Sequence, residues 1–284
     1  MIIWLASYPK SGNTWVRSFL NSLLFNKNNE ANLSELNKID QYPKRSHFLN
    51  LVTKIDNMDE LSSNWIRSQK ILNQDNKVKF LKTHHALCKF KNSVFTNGDV
   101  SLGVVHIVRD PRNVISSVLY HFSKKNYAEA KDFLFDENKA IGKKFDTNDP
   151  NVNRNIFTVI SSWKNHYNSW KQFKKNYLLI KYEDLVQDPY NEFNKLSNYL
   201  SKILNLNFEK EKIKNAVGAN SFEELKKLEV DNGFAEAIRD KETGEIKRFF
   251  NLGPDNDWKK LLDDDLRENI EKKFKNEMIE LGYI

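Results

Sequence analysis

The segment Leu5–Leu20, LASYPKSGNTWVRSFL, joins two patterns and decides the fold. Residues Ile2–Ser7 are mostly apolar without helical spacing, which is typical of a short buried strand. After Thr14 the apolar residues recur on one face of a helix. Backbone N–H groups and the helix dipole converge where a strand passes through a turn into a helix. The turn therefore predicts an anion-binding site, to which Lys10 adds a positive charge.

The composition of the 284-residue chain is that of a globular protein, with 39% hydrophobic and 29% charged residues. The single cysteine, Cys88, excludes an internal disulfide and fits a reducing compartment. The first residues lack the basic region and long apolar stretch of a signal peptide, and no window reaches the length of a membrane span. We therefore expect a cytoplasmic protein without a membrane partner, forming one domain over residues 1–284.

The net charge of +7 arises from 45 basic and 38 acidic residues. Lysines are spread along the chain, often beside asparagine, and nearby aromatic residues recur at helical spacing. This distribution favours a solvated surface over a nucleic-acid interface, so we expect no nucleic-acid partner. A small anionic ligand is a better fit to this charge distribution than nucleic acid, because such a ligand needs only a few well-placed cations.

Four short apolar runs predict buried parallel strands: Ile2–Ser7, Val78–Thr83, Leu102–Val108 and Tyr177–Lys181. Helical patterns between them are typical of an α/β fold with right-handed crossovers. Ligands of such folds bind at the carboxyl ends of the strands, and three of these ends carry the motifs YPKSGNT, KTHH and RDPRN. Helices are predicted from Pro111, with Asp110 as N-cap, and over residues 160–170 and 264–281. Residues 123–155 are polar and aperiodic, which predicts an irregular segment.

The motif KTHH at the end of the second strand places Lys82 and His84 on one face, because strand side chains alternate. Histidine has a pKa suited to general-base catalysis near neutral pH. For His85 and His106 we favour a structural role, while His121 and His166 stay undecided.

In RDPRN, Arg109 stands at the end of a strand, and Ser117 lies about two helical turns further on. Arginine suits bidentate contact with a phosphate. An Arg–Asp pair that closes the strand–helix corner is an equal alternative. The first loop is not a Walker A sequence, because its lysine precedes the glycine.

Taken in order, YPKSGNTW, KTHH, VRDPRNVISSVLYHF, KYEDL and NSFEEL resemble the sulfotransferase family that uses 3′-phosphoadenosine 5′-phosphosulfate (PAPS). The resemblance extends from Leu5 to about Lys260. It implies a P-loop-like three-layer fold with a central, mostly parallel sheet flanked by helices. It also implies direct in-line transfer of a sulfuryl group from PAPS to the hydroxyl of a small-molecule acceptor. The products would be a sulfate ester and adenosine 3′,5′-bisphosphate (PAP), and no metal would be required. A homodimer stays open.

The resemblance assigns nucleotide contacts to matching positions. The residues that would hold the 5′-phosphosulfate follow one another: Lys10, Ser11, Gly12, Asn13 and Thr14. Trp15, Tyr182 and Phe222 would form the adenine pocket. Arg109 and Ser117 would bind the 3′-phosphate.

The resemblance also assigns the chemistry. His84 would be the catalytic base that removes the acceptor proton. Lys82, beside it, and Lys10 would stabilise the charge that grows on the leaving phosphate oxygen. Most of the catalysis would then be positioning and electrostatics, as in phosphoryl transfer.

The sequence departs from the family near the 3′-phosphate site. Where the family has an Arg-Lys-Gly run, this chain has Asn251-Leu252-Gly253. Gly253 fits, and we expect Arg248, or else Lys247, to supply the missing cation from a shifted loop. Otherwise the 3′-phosphate is held less tightly.

Other functions stay open at this point. An ATP-dependent small-molecule kinase on a related phosphate-loop fold would depend on magnesium. A non-catalytic nucleotide-binding homologue would keep the cleft without activity. A protein-tyrosine or glycan acceptor is a third alternative. Segments 28–70, 123–155 and 235–250 are expected to wall the acceptor pocket, and their sequences do not identify the acceptor.

Overall fold

A computed structural model describes residues 1–142, 156–240 and 243–284. The strands are β1 (Ile2–Ser7), β2 (Asp40–Gln41), β3 (Lys79–Thr83), β4 (Lys89–Phe90), β5 (Ser93–Val94), β6 (Ser101–Val108), β7 (Ala140–Ile141), β8 (Thr158–Val159), β9 (Tyr177–Lys181), β10 (Ile238–Arg239) and β11 (Ile246–Lys247). The helices are α1 (Asn13–Phe25), α2 (Met58–Ser63), α3 (Trp65–Leu72), α4 (Pro111–His121), α5 (Tyr127–Phe135), α6 (Trp163–Trp170), α7 (Tyr182–Gln187), α8 (Pro189–Leu204), α9 (Lys210–Ala219), α10 (Phe222–Asn232), α11 (Trp258–Leu261), α12 (Asp264–Lys273) and α13 (Lys275–Leu281).

The main sheet has five strands in the order β2-β3-β1-β6-β9. β1 pairs in parallel with both β3 and β6, and β2 pairs in parallel with β3. All six residues of β1 are buried, as expected for a strand of a parallel sheet that is covered on both faces. The predicted α/β fold, with a central parallel sheet flanked by helices, is confirmed.

The strand predictions agree with the structure to within a residue. β1 and β9 have the predicted bounds, whereas β3 begins at Lys79 and β6 at Ser101. The edge strand β2 was not predicted because two residues carry no periodicity. The helix predicted over residues 160–170 begins only at Trp163, because the Ser162 hydroxyl caps it by accepting a hydrogen bond from the Asn165 N–H at 3.4 Å.

The prediction of a single helix over residues 264–281 was wrong in one respect, because Phe274 divides this segment into α12 and α13. Phe274 leaves the helical conformation, with φ −115° and ψ 20°. Its ring is fully buried and lies 5.1 Å from the ring of Phe135. Burial of a phenylalanine side chain is worth about 2 kcal/mol, which offsets the interruption.

The predicted irregular segment 123–155 contains regular structure in its described part, namely α5 and β7. Ala130, Phe133 and Leu134 of α5 are buried. Tertiary burial therefore stabilises a helix whose sequence shows little helical pattern. Residues 143–155 lie outside the described residues.

The chain divides into two compact units, each made of three chain segments. The first unit comprises Met1–Tyr8, Ile39–Ile107 and Asp136–Leu179. It has a buried hydrophobic cluster that includes Trp4, Trp65 and Trp170.

The second unit comprises Pro9–Lys38, Val108–Phe135 and Ile180–Ile284. A smaller cluster in it is centred on Leu225 and Phe250. Among the helices of the described ranges, none is long and apolar enough to cross a membrane.

Candidate active site

The turn before α1, in the second unit, has the backbone geometry of an anion-binding loop. Lys10 and Gly12 both have positive φ, at 68° and 97°. The N–H groups of Trp15 and Val16 donate to the Gly12 carbonyl at 3.1 and 3.3 Å, which starts the helix. No side chain of the described part caps this helix end. The Ser11 hydroxyl is buried and has no hydrogen-bond partner among those same residues. Left-handed loop residues and a helix N-terminus together form a concave site for an anion.

Tyr182 packs directly against this loop. A Cβ atom built on Gly12 would lie 2.6 Å from Tyr182 Cδ2, so that only glycine allows this approach. The rings of Tyr182 and Trp15 lie 5.9 Å apart at 69°. Trp15 Nε1 donates to the Asn220 carbonyl at 2.7 Å, which fixes the indole. The structure thus brings two of the three predicted adenine contacts beside the loop.

Arg109 connects the loop to α4. Its Nη1 donates to the Lys10 carbonyl at 3.2 Å and to Ser117 Oγ at 3.4 Å. The guanidinium carbon lies 4.0 Å from the centre of the Tyr182 ring. The residue is 6% exposed. A buried guanidinium and a hydroxyl are therefore held beside the predicted nucleotide site.

An Arg–Asp pair does close the strand–helix corner, but it involves Arg112 and not Arg109. Arg112 Nη2 lies 2.6 Å from Asp110 Oδ2, and the Asp110 carboxylate also accepts from the Arg112 N–H at 2.9 Å. Asp110 is the predicted N-cap of α4. The contacts described for Arg109 include the Lys10 carbonyl and Ser117 instead.

Asn256, which sequence reasoning missed, also contacts Ser117. Its Nδ2 donates to Ser117 Oγ at 3.0 Å and to the Asn113 carbonyl at 2.8 Å. Since the hydroxyl accepts from both Asn256 and Arg109, its own proton is directed elsewhere. The position of Asn256 three residues after Gly253, a glycine that fits the family pattern, was the available clue.

The segment that departs from the family holds Gly253 against Phe222. Gly253 has φ 55°, and a Cβ atom built on it would lie 2.3 Å from the Phe222 ring. Arg248 is exposed. Lys247 Nζ lies 2.5 Å from Asp240 Oδ2 and 3.2 Å from Ser123 Oγ. The described contacts of Ser117 include neither Arg248 nor Lys247, so a substitute cation stays a prediction.

Lys10 faces an aromatic ring that the sequence did not indicate. Its Nζ lies 3.8 Å from the centre of the Phe249 ring, a cation–π contact. The N–H groups of Phe249 and Phe250 both donate to the Glu229 carboxylate, at 2.6 and 2.9 Å. Glu229 therefore fixes the backbone that carries the ring beside Lys10.

A carboxylate that we did not predict lies at the first turn of α1. Thr14 Oγ1 donates to Glu236 Oε2 at 3.2 Å, and Arg17 Nη2 lies 2.5 Å from Glu236 Oε1. The helix dipole favours a negative charge at this end. A threonine hydroxyl has one proton, so Thr14 cannot donate to Glu236 and to a phosphate at the same time.

At the end of β3, in the first unit, the His84 ring is fixed by the last residue of β1. His84 Nδ1 lies 2.8 Å from the Ser7 carbonyl oxygen and 3.2 Å from Ser7 Oγ. A carbonyl only accepts, so Nδ1 carries the proton and Nε2 has the lone pair in the neutral imidazole. Lys82, two residues earlier, is 7% exposed.

Three other histidines of this unit, His85, His106 and His166, are buried. The His85 ring stacks on Phe95, with 4.1 Å between ring centres, and burial lowers its pKa to about 4. Burial also lowers the pKa of His106, whose Nδ1 lies 2.8 Å from the Tyr177 hydroxyl. Burial lowers the pKa of His166 to about 3. These three imidazoles are therefore neutral at physiological pH. In the second unit, His121 makes edge contacts with Phe122 and Phe249.

Comparison with solved structures shows the same fold. Mouse sulfotransferase SULT7A1, complexed with PAP, aligns with a TM-score of 0.57 and 18% identity, over 97% of this chain and 84% of that chain. A retinol dehydratase in complex with androsterone and the inactive cofactor PAP aligns with a TM-score of 0.58 and 18% identity, over 98% and 80%.

Sequence comparison gives the family. Flavonol 3-sulfotransferase of Flaveria bidentis is 24% identical over 99% of this chain and 83% of that protein. Cytosolic sulfotransferase 1 of Danio rerio is 26% identical over 97% of this chain and 82% of that protein. The family model of the sulfotransferase domain matches residues 2–282. The chain therefore belongs to the sulfotransferase family, as its motifs predicted.

Proposed function

We propose that the protein transfers a sulfuryl group from PAPS to a hydroxyl of a small-molecule acceptor and releases PAP. The observation that carries this proposal is the loop at Lys10–Thr14. There a buried Ser11 hydroxyl, with no hydrogen-bond partner in the described ranges, lies next to a helix N-terminus. The PAP complexes of the two structural neighbours support the choice of nucleotide.

The residues present fit this nucleotide. The 5′-phosphosulfate would be held by the loop and first turn of α1: Lys10, Ser11, Gly12, Asn13 and Thr14. Arg109 and Ser117 supply a guanidinium and a hydroxyl proton for the 3′-phosphate. Trp15, Tyr182 and Phe222 supply aromatic surface for the adenine. Gly253 lets Phe222 take its position, and Arg248 stays the predicted additional cation.

In the chemical step, the acceptor oxygen forms a bond to sulfur while the bond from sulfur to the bridging oxygen of PAPS breaks. The electron pair of the broken bond stays on the 5′-phosphate of PAP. The acceptor proton passes to Nε2 of His84, since Nδ1 is occupied by the Ser7 carbonyl. The ammonium groups of Lys10 and Lys82 offset the charge that develops on the leaving oxygen. No covalent enzyme intermediate is required.

The acceptor class follows from relatives and not from a pocket. Two proteins similar to this chain are named flavonol 3-sulfotransferase and 3β-hydroxysteroid sulfotransferase. We therefore propose a small hydroxylated molecule as the acceptor. Several relatives are named cytosolic sulfotransferases, which supports the expected cytoplasmic location.

We further propose that residues 1–284 act as one sulfotransferase domain. The three segments of each compact unit alternate along the chain, and one family model spans both units. A single cooperative unfolding transition, coincident by fluorescence and circular dichroism, is the expected result. Two separate transitions would contradict it.

The test of the function has two steps. Thermal shift with PAP, PAPS and ATP–magnesium should show stabilisation by PAP and PAPS, because a ligand that binds only the folded state stabilises it. Transfer of labelled sulfate from PAPS to pooled phenols, flavonols and sterols should then yield a sulfate ester and PAP. Stabilisation by ATP–magnesium with phosphate transfer would instead indicate the kinase. PAP binding with no transfer to any pool would indicate the non-catalytic homologue.

A further inference from the structure

Helix α6 carries three side chains that contact the backbone just after β3. Trp170 Nε1 donates to the His85 carbonyl at 2.9 Å. Ser169 Oγ accepts from the Leu87 N–H at 3.0 Å. His166 forms a hydrogen bond with the backbone of His84. Three residues at the end of one helix therefore hold residues 84, 85 and 87.

The donor atom on His166 is Nδ1. His166 Nε2 is buried and has no hydrogen-bond partner among the residues the structure describes. The hydrogen bond to the His84 backbone opposes the lowering of the His166 pKa by burial, as expected when a carbonyl accepts from the ring. Nδ1–H of His166 thus donates to the His84 carbonyl. His166 and Trp170 are four residues apart, on one face of α6.

Residues 84–87 need such partners, because they belong to no strand or helix. Buried backbone carbonyls outside regular structure must find donors elsewhere. His85 and Ala86 are buried, and Ala86 also donates its N–H to the Val159 carbonyl at 2.8 Å. The His84 ring is fixed separately, by the Ser7 carbonyl. Its position therefore depends on β1 for the ring and on α6 for the backbone.

We propose that His166 and Trp170 are positioning residues for His84, and that α6 sets the place from which this imidazole takes the acceptor proton. The proposal rests on the proposed role of His84 as base. A general base acts only within about 2.6–3.2 Å of the proton it removes. A displacement of about 1 Å can lower a rate by about 100-fold. Release of either carbonyl lets the segment shift without touching the nucleotide-binding residues.

The test uses three α6 variants. His166→Leu removes the ring donor, and Trp170→Phe removes the indole N–H while keeping an aromatic ring. His166→Asn keeps a side-chain N–H close to the position of Nδ1. We expect kcat to fall about 10–100-fold in His166→Leu and Trp170→Phe. In His166→Asn, kcat should stay within about threefold of the wild type. KM for PAPS and the affinity for PAP should change less than about twofold in all three variants, since α6 contains none of the proposed nucleotide contacts.

Trp65→Phe is the matched control. Trp65 is fully buried in the same cluster as Trp170, and its Nε1 has no hydrogen-bond partner within the described chain. The substitution removes the same atoms and leaves a similar cavity, but breaks no hydrogen bond. We expect this control to keep a kcat close to wild type while its melting temperature drops as much as that of Trp170→Phe. The lower kcat of Trp170→Phe is then due to the lost hydrogen bond to the His85 carbonyl.

Unchanged kcat in both His166→Leu and Trp170→Phe would overturn the proposal, and so would an equal loss in Trp65→Phe. Failure of His166→Asn to recover activity, while PAP still raises its melting temperature, would overturn the role of Nδ1. The base itself is tested separately with His84→Ala. Wild-type turnover in that variant removes the proposed base, whereas inactive His84→Ala with active α6 variants rejects only the positioning.

Discussion

The loop at Lys10–Thr14 and the segment at residues 84–87 each follow a buried strand of the main sheet, yet they are held in opposite ways. The loop takes its backbone conformation from its own residues, through two left-handed conformations and the first turn of α1, although Tyr182 and Arg109 also pack against it. The segment after β3 is held by α6, across 82 and 85 residues of sequence. The conformation of the proposed anion loop is therefore encoded mainly in the local sequence, whereas the place of the proposed base depends on tertiary contacts.

The strongest way to break this comparison is to remove the base. His84→Ala should lower kcat by about 10²–10⁴-fold, because a general base contributes that much. The affinity for PAP, measured by calorimetry, should stay within about twofold, since His84 is not among the proposed nucleotide contacts. Near-normal turnover would remove His84 from the mechanism.

The reverse pattern is expected for the anion site. Lys10→Ala and Arg109→Ala should each weaken PAP binding by about 10–100-fold, because hydrogen bonds to charged groups are worth about 1.5–3 kcal/mol. Lys214→Ala removes an exposed lysine of α9 and serves as the control for lost net charge. Unchanged affinity in a calorimetric titration of both variants would contradict the placement of the nucleotide.

Acid should destabilise the protein through the segment after β3. Burial lowers the pKa of His85 from the ordinary 6.5 of a histidine to about 4 in the folded chain. Between these values the unfolded chain binds more protons, so the free energy of unfolding falls as the pH decreases. From pH 7 to pH 5 this histidine alone should cost on the order of 2 kcal/mol. Urea unfolding at pH 7 and pH 5 measures this difference in the free energy of unfolding.

His85→Phe sharpens that experiment. It keeps a ring against Phe95 but removes the titrating group, so its stability at pH 7 and pH 5 should differ less than in the wild type. His106 and His166 still contribute to the remaining difference, since burial lowers the pKa of both. An equal loss of stability in variant and wild type would exclude His85 as a source of the acid sensitivity.

The smallest expected effect concerns Glu236. Because Thr14 cannot donate to this carboxylate and to a phosphate together, the nucleotide competes with Glu236. Glu236→Gln should therefore raise the affinity for PAP about three- to tenfold, in line with about 1 kcal/mol for a partly exposed charge at a helix end. Glu245→Gln, an exposed carboxylate further along the chain, should have no effect. Weaker binding in Glu236→Gln would show that the carboxylate supports the site instead.

The same contrast explains what the sequence could predict. The four predicted strands of the main sheet and the loop follow from local patterns, and the family resemblance implied that Arg109 and Ser117 act together. The contacts made by Glu229, Glu236 and Asn256 could not be predicted from the sequence. Each of these residues comes from a helix or turn that is distant along the chain. The interruption at Phe274 depends on the ring of Phe135, which no local pattern contains. His166 stayed undecided because its function depends on the residue it contacts.

Lys10 illustrates a conflict between conformation and charge. At φ 68° it occupies a region that glycine enters freely and that costs other residues about 1 kcal/mol or more. Lys10→Gly should relieve this strain in the ligand-free protein, but it removes both the cation–π contact with Phe249 and the ammonium that we propose for the nucleotide. A melting temperature close to wild type in the ligand-free variant would therefore say nothing about nucleotide binding, and the two properties have to be measured separately at this position.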